Sequence, residues 1–248
     1  MPSQRDAREK ARAALAASGV VIGEWQARPL LVAYGIAGDD GAVLAQSAAE
    51  AEAAALKIAR PVALKIQSAD IPHKTEAGGV ALNIAGADVR TAYERVLASA
   101  RQHAPAAHID GVLVAPMARA GREVILGVNR DPRWGPLLMV GLGGVLVEAM
   151  ADTALAPVPL DHDAALALIG QLKGARLFGA FRGAPAADID ALAGLMVKLS
   201  QLAADHADTI SEIDLNPVIV HAKGAGVTVV DALILKTGVQ AQGRDAAE

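Results

Sequence analysis

Three features of the sequence predict an α/β (α+β) fold built as two lobes. Helical and strand patterns alternate along the chain. The alternation changes near residue 110, where strand patterns begin to follow one another directly. The composition suits small aliphatic cores: 53% of residues are hydrophobic and only 2% aromatic, so packing must come from Ala, Val, Leu and Ile. At 248 residues the chain can form one large domain or two smaller ones, each with its own core.

The elements follow in order. Residues 4–17 are Ala-rich and helical, closed by Gly19. Residues 24–34 read as a second helix ending at Gly35, with Pro29 expected to kink it or to mark a later start. Asp39-Asp40-Gly41 is a turn. Ser47 and Glu50 form a capping box that opens a helix to about Ile58, and Arg60-Pro61 ends it. A strand over 62–66, a polar loop, a return strand over 80–84 and a helix over 88–103 begun by Asp88 complete the smaller lobe, with Pro105 closing the helix.

Beyond Gly111, strands are predicted at 112–114, 123–128 and 137–140, the last two separated by the turn residues Arg130-Asp131-Pro132. Helices follow at 163–172 and 187–204, flanking a loop rich in Gly and Arg over 174–183. A hairpin of 212–220 with 227–235 across Lys223-Gly224-Ala225-Gly226 ends the fold. The expected division is a helical extension at 1–23, a larger lobe of 24–35 with 110–248 carrying the hairpin, and a smaller lobe of 36–109. The only repeat, Gly-Gly-Val at 78–80 and 143–145, is too short to mean duplication.

Charge and composition exclude several classes of function. A formal charge of −4 supplies no basic field for nucleic acid and no polybasic patch for anionic lipid, and aromatic stacking platforms are scarce. The absence of cysteine removes disulfides, thiolate metal sites and thiol nucleophiles, and fits a reducing cytoplasm. Residues 5–22 mimic a leader, but Asp6 and Glu9 interrupt the basic part and Ser18-Gly19 the apolar part. No apolar stretch approaches the roughly 20 residues that span a bilayer.

Two stretches carry chemistry. In PVALKIQSADIPHKTEAGGV, residues 61–80, an apolar strand holds Lys65 in its interior and runs into a loop with His73 and Lys74 that leaves through Gly78-Gly79. A buried lysine requires an anion or an acid beside it, and a histidine in the adjoining loop adds a nucleophile or acid–base group. Taken alone, Lys65 fits a structural ion pair and His73 an ordinary surface histidine. In EIDLNP, residues 212–217, the period of two places Glu212, Asp214 and Asn216 on one face, and antiparallel pairing brings Asp231 within a residue or two of Asn216. Such hard oxygen ligands suit Mg²⁺, which takes one or two carboxylates plus phosphate and water; the same face also fits simple solvation. The joint presence of both stretches and the Gly-rich loop favours a phosphate and metal site.

The order of motifs resembles the ATP-grasp subunit of the ADP-forming (NDP-forming) acyl-CoA synthetases, relatives of succinyl-CoA synthetase. The matching segments are residues 61–80, GVLVAPM at 111–117, GREVILGVNRDPRWGP at 121–136, GLGGVLVE at 141–148, EIDLNP at 212–217 and VVDA at 229–232. The resemblance implies an ATP-grasp fold, two lobes gripping a nucleotide, and the reversible conversion of acid, CoA and ATP into acyl-CoA, ADP and phosphate through phosphohistidine. His73 matches the loop histidine that carries the phosphoryl group, Lys65 the lysine on the nucleotide phosphates, and Asn216 and Asp231 the Mg²⁺ ligands, with Glu212 and Asp214 as further candidates on the same face.

Residues 114–117 match the segment that meets adenine through backbone groups, which makes Ala115 and Met117 candidate contacts; Met117 equally fits the core. Here the chain departs from its relatives: Ala115 stands where Gln or Glu is common, and Pro116 has no N–H. Glu123 is placed near phosphate or metal, or in an ion pair with Arg119 or Arg122. Gly141, Gly143 and Gly144 either turn their amides to phosphate or form a tight turn. Arg176 and Arg182 either clamp a phosphate, face the partner or are simply solvated.

The expected partner is a CoA-binding alpha subunit with its own phosphorylated histidine, in a heterotetramer. This chain shows no G-x-G-x-x-G after an early strand for a CoA-binding half, so acyl specificity is expected to reside in that partner. Met1 and the 23 residues before the family's usual start favour a free subunit. The alternatives are a self-contained ATP-grasp carboxylate ligase that needs no histidine and a non-catalytic regulatory domain of the same fold.

Overall fold

The computed structural model describes residues 4–38, 40–71, 73–144, 152–180 and 183–238. In chain order the first elements are α1 (Gln4–Ala17), β1 (Val21–Ile22), α2 (Glu24–Ala33), β2 (Val43–Ala45), α3 (Ala48–Ile58), β3 (Val62–Gln67), β4 (Val80–Ile84), α4 (Asp88–His103) and β5 (Gly111–Pro116). They are followed by β6 (Arg122–Asp131), β7 (Gly135–Leu142), β8 (Thr153–Pro157), α5 (His162–Gly170), a 3-10 turn (Ala175–Phe178), α6 (Ile189–Asp205), β9 (Ile210–Val220), β10 (Val227–Val229) and β11 (Leu233–Lys236). The predicted turn residue Asp39, the third residue of the second Gly-Gly-Val together with the end of its motif (145–148), and Arg182 lie outside the described residues.

The chain forms two compact units, residues 23–120 and residues 1–22 with 121–248. This division differs from the expected one at both ends. Residues 24–35 and 110–120 belong to the smaller unit: β5 pairs along its whole length with β3, and Glu24 and Trp25 of α2 bond Lys65 and Gln67 of that strand. The first 22 residues belong to the larger unit: β1 pairs with β11, Arg8 bridges to Asp205 at 2.7 Å, and Lys236 Nζ donates to the carbonyls of Leu15 and Ser18 at 2.7 and 2.8 Å. That lysine satisfies acceptors left over at the C-terminus of α1. The N-terminal helix is therefore integral to the larger unit rather than an appendage.

The smaller unit is an antiparallel sheet in the order β2-β5-β3-β4. Val62, Leu64 and Ile66 of β3, with Val112 and Val114 of β5, meet Ala51 and Ala54 of α3 and Val89, Ala92, Tyr93 and Val96 of α4 in one core. Each fully buried Val, Leu or Ile contributes about 1.5–3 kcal/mol. The cap is formed: Ser47 Oγ accepts from Glu50 N at 3.2 Å, while the Glu50 side chain reaches back one residue beyond the cap and accepts from Gln46 N at 2.8 Å. Ala59 ends α3 in the left-handed conformation. Pro29 lies inside α2, which starts at Glu24 without delay because Ala27, Leu30 and Leu31 anchor it by burial.

The larger unit is an antiparallel sheet in the order β1-β11-β9-β6-β7-β8, with β10 also on β9. Leu192, Met196, Leu199 and Leu202 of α6 are fully buried, as are Leu126 of β6 and Leu138 of β7. Strands β6 and β7 run further than predicted, since Asp131 closes their turn by accepting from the amides of Arg133 and Trp134 at 2.7 and 2.9 Å. No helix among the described residues is long and apolar enough to cross a membrane.

Candidate functional site

In the smaller unit, the alternation of β3 separates two functions. Val62, Leu64 and Ile66 face the helices, so Ala63, Lys65 and Gln67 face the opposite side of the sheet. There the first turn of α2 meets them. Glu24 Oε1 lies 2.9 Å from Lys65 Nζ, and Gln67 Oε1 accepts from Trp25 N at 3.1 Å. Both charged side chains are 6% exposed. Glu24 also benefits from its position in the first turn of a helix, where the backbone dipole favours negative charge. Lys74 Nζ approaches its other oxygen, Oε2, at 3.4 Å.

The loop that carries His73 is pinned on both sides of that residue. Ile71 and Ala77 are buried in the core of the smaller unit, while His73 itself is exposed. Gly78 adopts φ +62°, and Gly79 lies so close to the strand that a Cβ there would meet Ile66 Cγ2 at 2.7 Å and the Lys74 carbonyl at 2.9 Å. Gly79 N donates to that carbonyl at 2.7 Å. The glycine pair thus makes a tight, packed turn.

Residues 114–117 complete the adjoining strand. Ala115 is buried opposite Ala63, and Pro116 pairs with Val62. Met117 N donates to the Pro61 carbonyl at 3.0 Å. With no N–H on Pro116 and that of Met117 engaged, neither amide serves as a donor to a base.

In the larger unit, β9 presents the expected face. Ile213 and Leu215 are buried, while Glu212 and Asp214 are half-buried and Asn216 exposed on the other side. β10 and β11 pair with β9 in one alignment, Val229 opposite Val218 and Leu233 opposite Asp214, so Asp231 between them falls opposite Asn216. The predicted single strand is broken at residues 230–232, where Asp231 Oδ1 accepts from the amide of Ala232 at 2.8 Å. The described residues hold no group of three or more His, Cys, Asp or Glu side chains able to cage a metal. One carboxylate, Asp231, facing one amide oxygen donor, Asn216, fits Mg²⁺, which completes its octahedron with water and phosphate oxygens.

Gly141 lies within β7, and Gly143 N donates to the Glu123 carbonyl at 2.8 Å, so that amide holds the turn instead of a phosphate. A Cβ on Gly143 would meet Glu123 at 3.0 Å, and Gly144 has φ +94°. Glu123 is exposed, and Arg122 donates to the Gly179 carbonyl at 3.4 Å. Arg176 is exposed on the 3-10 turn.

Two residues escaped the sequence reading. Glu24 was legible only as the start of a helix, though an acidic first-turn residue ahead of a strand with polar Lys65 and Gln67 at period two is a usable signal. Asp152 is buried, and its two oxygens accept from Lys173 N and Gly174 N, both at 2.8 Å, fixing the entry to the Arg176 turn.

Comparison with known proteins identifies this architecture. Residues 13–235 match the ATP-grasp domain family. The chain is 40% identical over 225 residues to the beta subunit of acetate–CoA ligase [ADP-forming] II of Pyrococcus furiosus, covering 90% of this chain and 95% of that one. It is 38% identical to acetate–CoA ligase [ADP-forming] I of Archaeoglobus fulgidus, covering 86% of this chain but 31% of that longer protein. Among solved structures, the dinucleotide-forming acetyl-coenzyme A synthetase 1 of Ca. Korarchaeum cryptofilum with coenzyme A and Ca-AMPCP superposes with a TM-score of 0.85 at 36% identity, over 94% of this chain and 100% of that one. The same enzyme with Mg-AMPPCP, its phosphohistidine segment pointing towards the nucleotide binding site, gives a TM-score of 0.73 at 31% identity, over 93% and 99%. The chain belongs to the ATP-grasp family, and its relatives there include beta subunits of ADP-forming acyl-CoA ligases.

Proposed function

We propose that this chain is the nucleotide-binding subunit of an ADP-forming acyl-CoA synthetase, moving a phosphoryl group between ATP and His73 while a partner subunit interconverts acid plus CoA and acyl-CoA. The observation that carries the reading lies within the smaller unit: Lys74, next in sequence to the exposed His73, shares one carboxylate with the buried strand lysine Lys65. A candidate carrier and a candidate phosphate-binding cation are thereby tied to one group. The likeness to a separate beta subunit over nearly its whole length supports the need for a partner.

The unprotonated nitrogen of neutral His73 attacks the γ-phosphorus, the bond from that phosphorus to the β,γ-bridging oxygen breaks, and ADP leaves with the bonding pair. The other ring nitrogen gives up its proton to solvent, so charge balances. Lys65 offsets phosphate charge as a fixed point cation. Asn216 and Asp231 would hold a Mg²⁺ ion, which when bound neutralises phosphate charge. The phosphoryl group on His73 then serves the partner, a CoA-binding alpha subunit with a phosphorylated histidine of its own, in a cytoplasmic heterotetramer.

The test is labelling and reconstitution. With Mg²⁺ and γ-labelled ATP, the chain should acquire label that is absent from His73→Ala. It should make no acyl-CoA from acetate, CoA and ATP until a CoA-binding subunit is added. Full turnover by isolated His73→Ala protein would overturn the reading in favour of direct acyl phosphate formation.

A further inference from the structure

Glu24 ties together three parts of the smaller unit. Its Oε1 meets Lys65 Nζ at 2.9 Å and its Oε2 meets Lys74 Nζ at 3.4 Å, with none of the three side chains more than 10% exposed. The neighbouring Trp25 amide is held by Gln67 at 3.1 Å, so the first turn of α2 is fixed to the same strand that carries Lys65. Lys74 in turn is the residue after His73, in a loop whose flanks, Ile71 and Ala77, are set into the core.

We propose that Glu24 is a positioning residue for phosphoryl transfer: it aims Lys65 and, through Lys74, docks the His73 loop at a fixed spacing from that lysine. The proposal rests on the reading of Lys65 and His73 given above. An ammonium has three N–H donors, and one of them held by a rigid carboxylate sets the direction of the others. The two oxygens of one carboxylate are a fixed distance apart, so the two lysines are held in register with each other. Loss of the Lys74 arm frees the loop tip between its two apolar anchors, and a displacement of about 1 Å at a reacting atom costs about 10²-fold in rate. The proposal places the nucleotide phosphates on Lys65 and not on the loop tip, so nucleotide affinity should be left largely intact.

A simple structural ion pair would not separate these two quantities. The test uses the purified full chain, measuring label on His73 from γ-labelled ATP and, separately, calorimetric affinity for the non-transferable analogue AMPPCP with Mg²⁺. Lys74→Met keeps the Glu24–Lys65 pair and is the deciding variant. Its labelling rate should fall by tenfold to 10²-fold while affinity changes less than about threefold. Glu24→Asp should fall between wild type and Glu24→Gln, and adding Lys74→Met to Glu24→Gln should slow labelling no further, because the contact is already lost.

Wild-type labelling rates in Lys74→Met, or losses that follow affinity one for one, would overturn the positioning role. A wild-type chain that acquires no label on His73 would sink the functional reading and this proposal with it. A labelled wild type with an indifferent Lys74→Met sinks this proposal alone.

Discussion

Replacing Lys65 by Met tests the energetics of the buried cluster. At 2.9 Å and an effective dielectric of about 20, the Glu24–Lys65 attraction is about 6 kcal/mol before desolvation. The second ammonium at 3.4 Å contributes about 5 kcal/mol on the same scale. Desolvation of three charges offsets most of this, so the measurable quantity is the cost of removing one member, about 3–5 kcal/mol when a buried charge is left alone. Lys65→Met leaves the carboxylate with Lys74 and should cost about 2–3 kcal/mol, below the full penalty of an isolated charge. Glu24→Gln leaves two ammoniums facing each other and should cost about 3–5 kcal/mol. Replacing both partners by apolar groups, Lys65→Met with Glu24→Leu, should cost less than the sum of the single changes. Urea unfolding followed by Trp25 fluorescence in a Trp134→Phe background reads the smaller unit, since Trp25 lies beside the cluster and Trp134 is exposed at the β6–β7 turn. A Lys65→Met protein within about 0.5 kcal/mol of wild type would refute the reasoning, because surface substitutions produce no more than that.

Other consequences are open to measurement. Asp231→Asn and Asn216→Ala should each raise the Mg²⁺ concentration needed for half-maximal His73 labelling by about tenfold or more, read by metal titration at saturating ATP; unchanged midpoints would remove both from the metal site. Asp152→Ala removes the acceptor for two backbone amides and should cost about 2–3 kcal/mol in urea unfolding of the larger unit. His206 is buried, and its desolvation outweighs the pull of Asp205 and adds to the repulsion of Arg12 and Arg8, lowering its pKa from 6.5. The unfolded chain then binds more protons than the native one as pH falls through 6.5, so stability declines on acidification below that pH. His206→Gln should flatten the decline, measured as urea midpoints between about pH 7 and pH 5.

Features set by local chemistry were legible in the sequence, and features set by distant pairing were not. The cap at Ser47 depends on residues within one turn and appears where its signal stands; the helix from Asp88 to His103 also forms, but Asp88 lies in its first turn and the N-cap is Ala87, which makes no side-chain cap bond. The facing of Asp231 and Asn216 was also readable, because period two and a short connection between strands define register. By contrast β1 and β2, of two and three residues, have no periodicity of their own and exist through β11 and β5. The membership of β5 in the compact unit of residues 23–120 was not legible for the same reason, since it follows from its partner β3 and not from its own composition. Gly78-Gly79 illustrates an ambiguity of residue type: glycine permits both a hinge and a close approach, and only the position of Ile66 selects the second.

The same distinction bears on Lys65, for which a structural ion pair and a phosphate contact stood as rival readings. The geometry shows the ion pair, and the proposed phosphate contact is compatible with it. A lysine in the interior of a central strand cannot remain charged through the ligand-free part of a reaction cycle without an anion beside it. A ligand-binding role therefore requires a resident counter-charge, weak enough in net effect to share the ammonium and rigid enough to hold its direction. Glu24, fixed in the first turn of α2 and held there by two lysines, meets both conditions. On the proposed reading its second partner makes the arrangement tolerant: were an incoming phosphate to draw on Lys65, Lys74 would still neutralise the carboxylate. On the proposed reading Lys74 also anchors the histidine loop, so the carboxylate that pairs with Lys65 in the absence of nucleotide should bond more strongly to that loop when nucleotide is present.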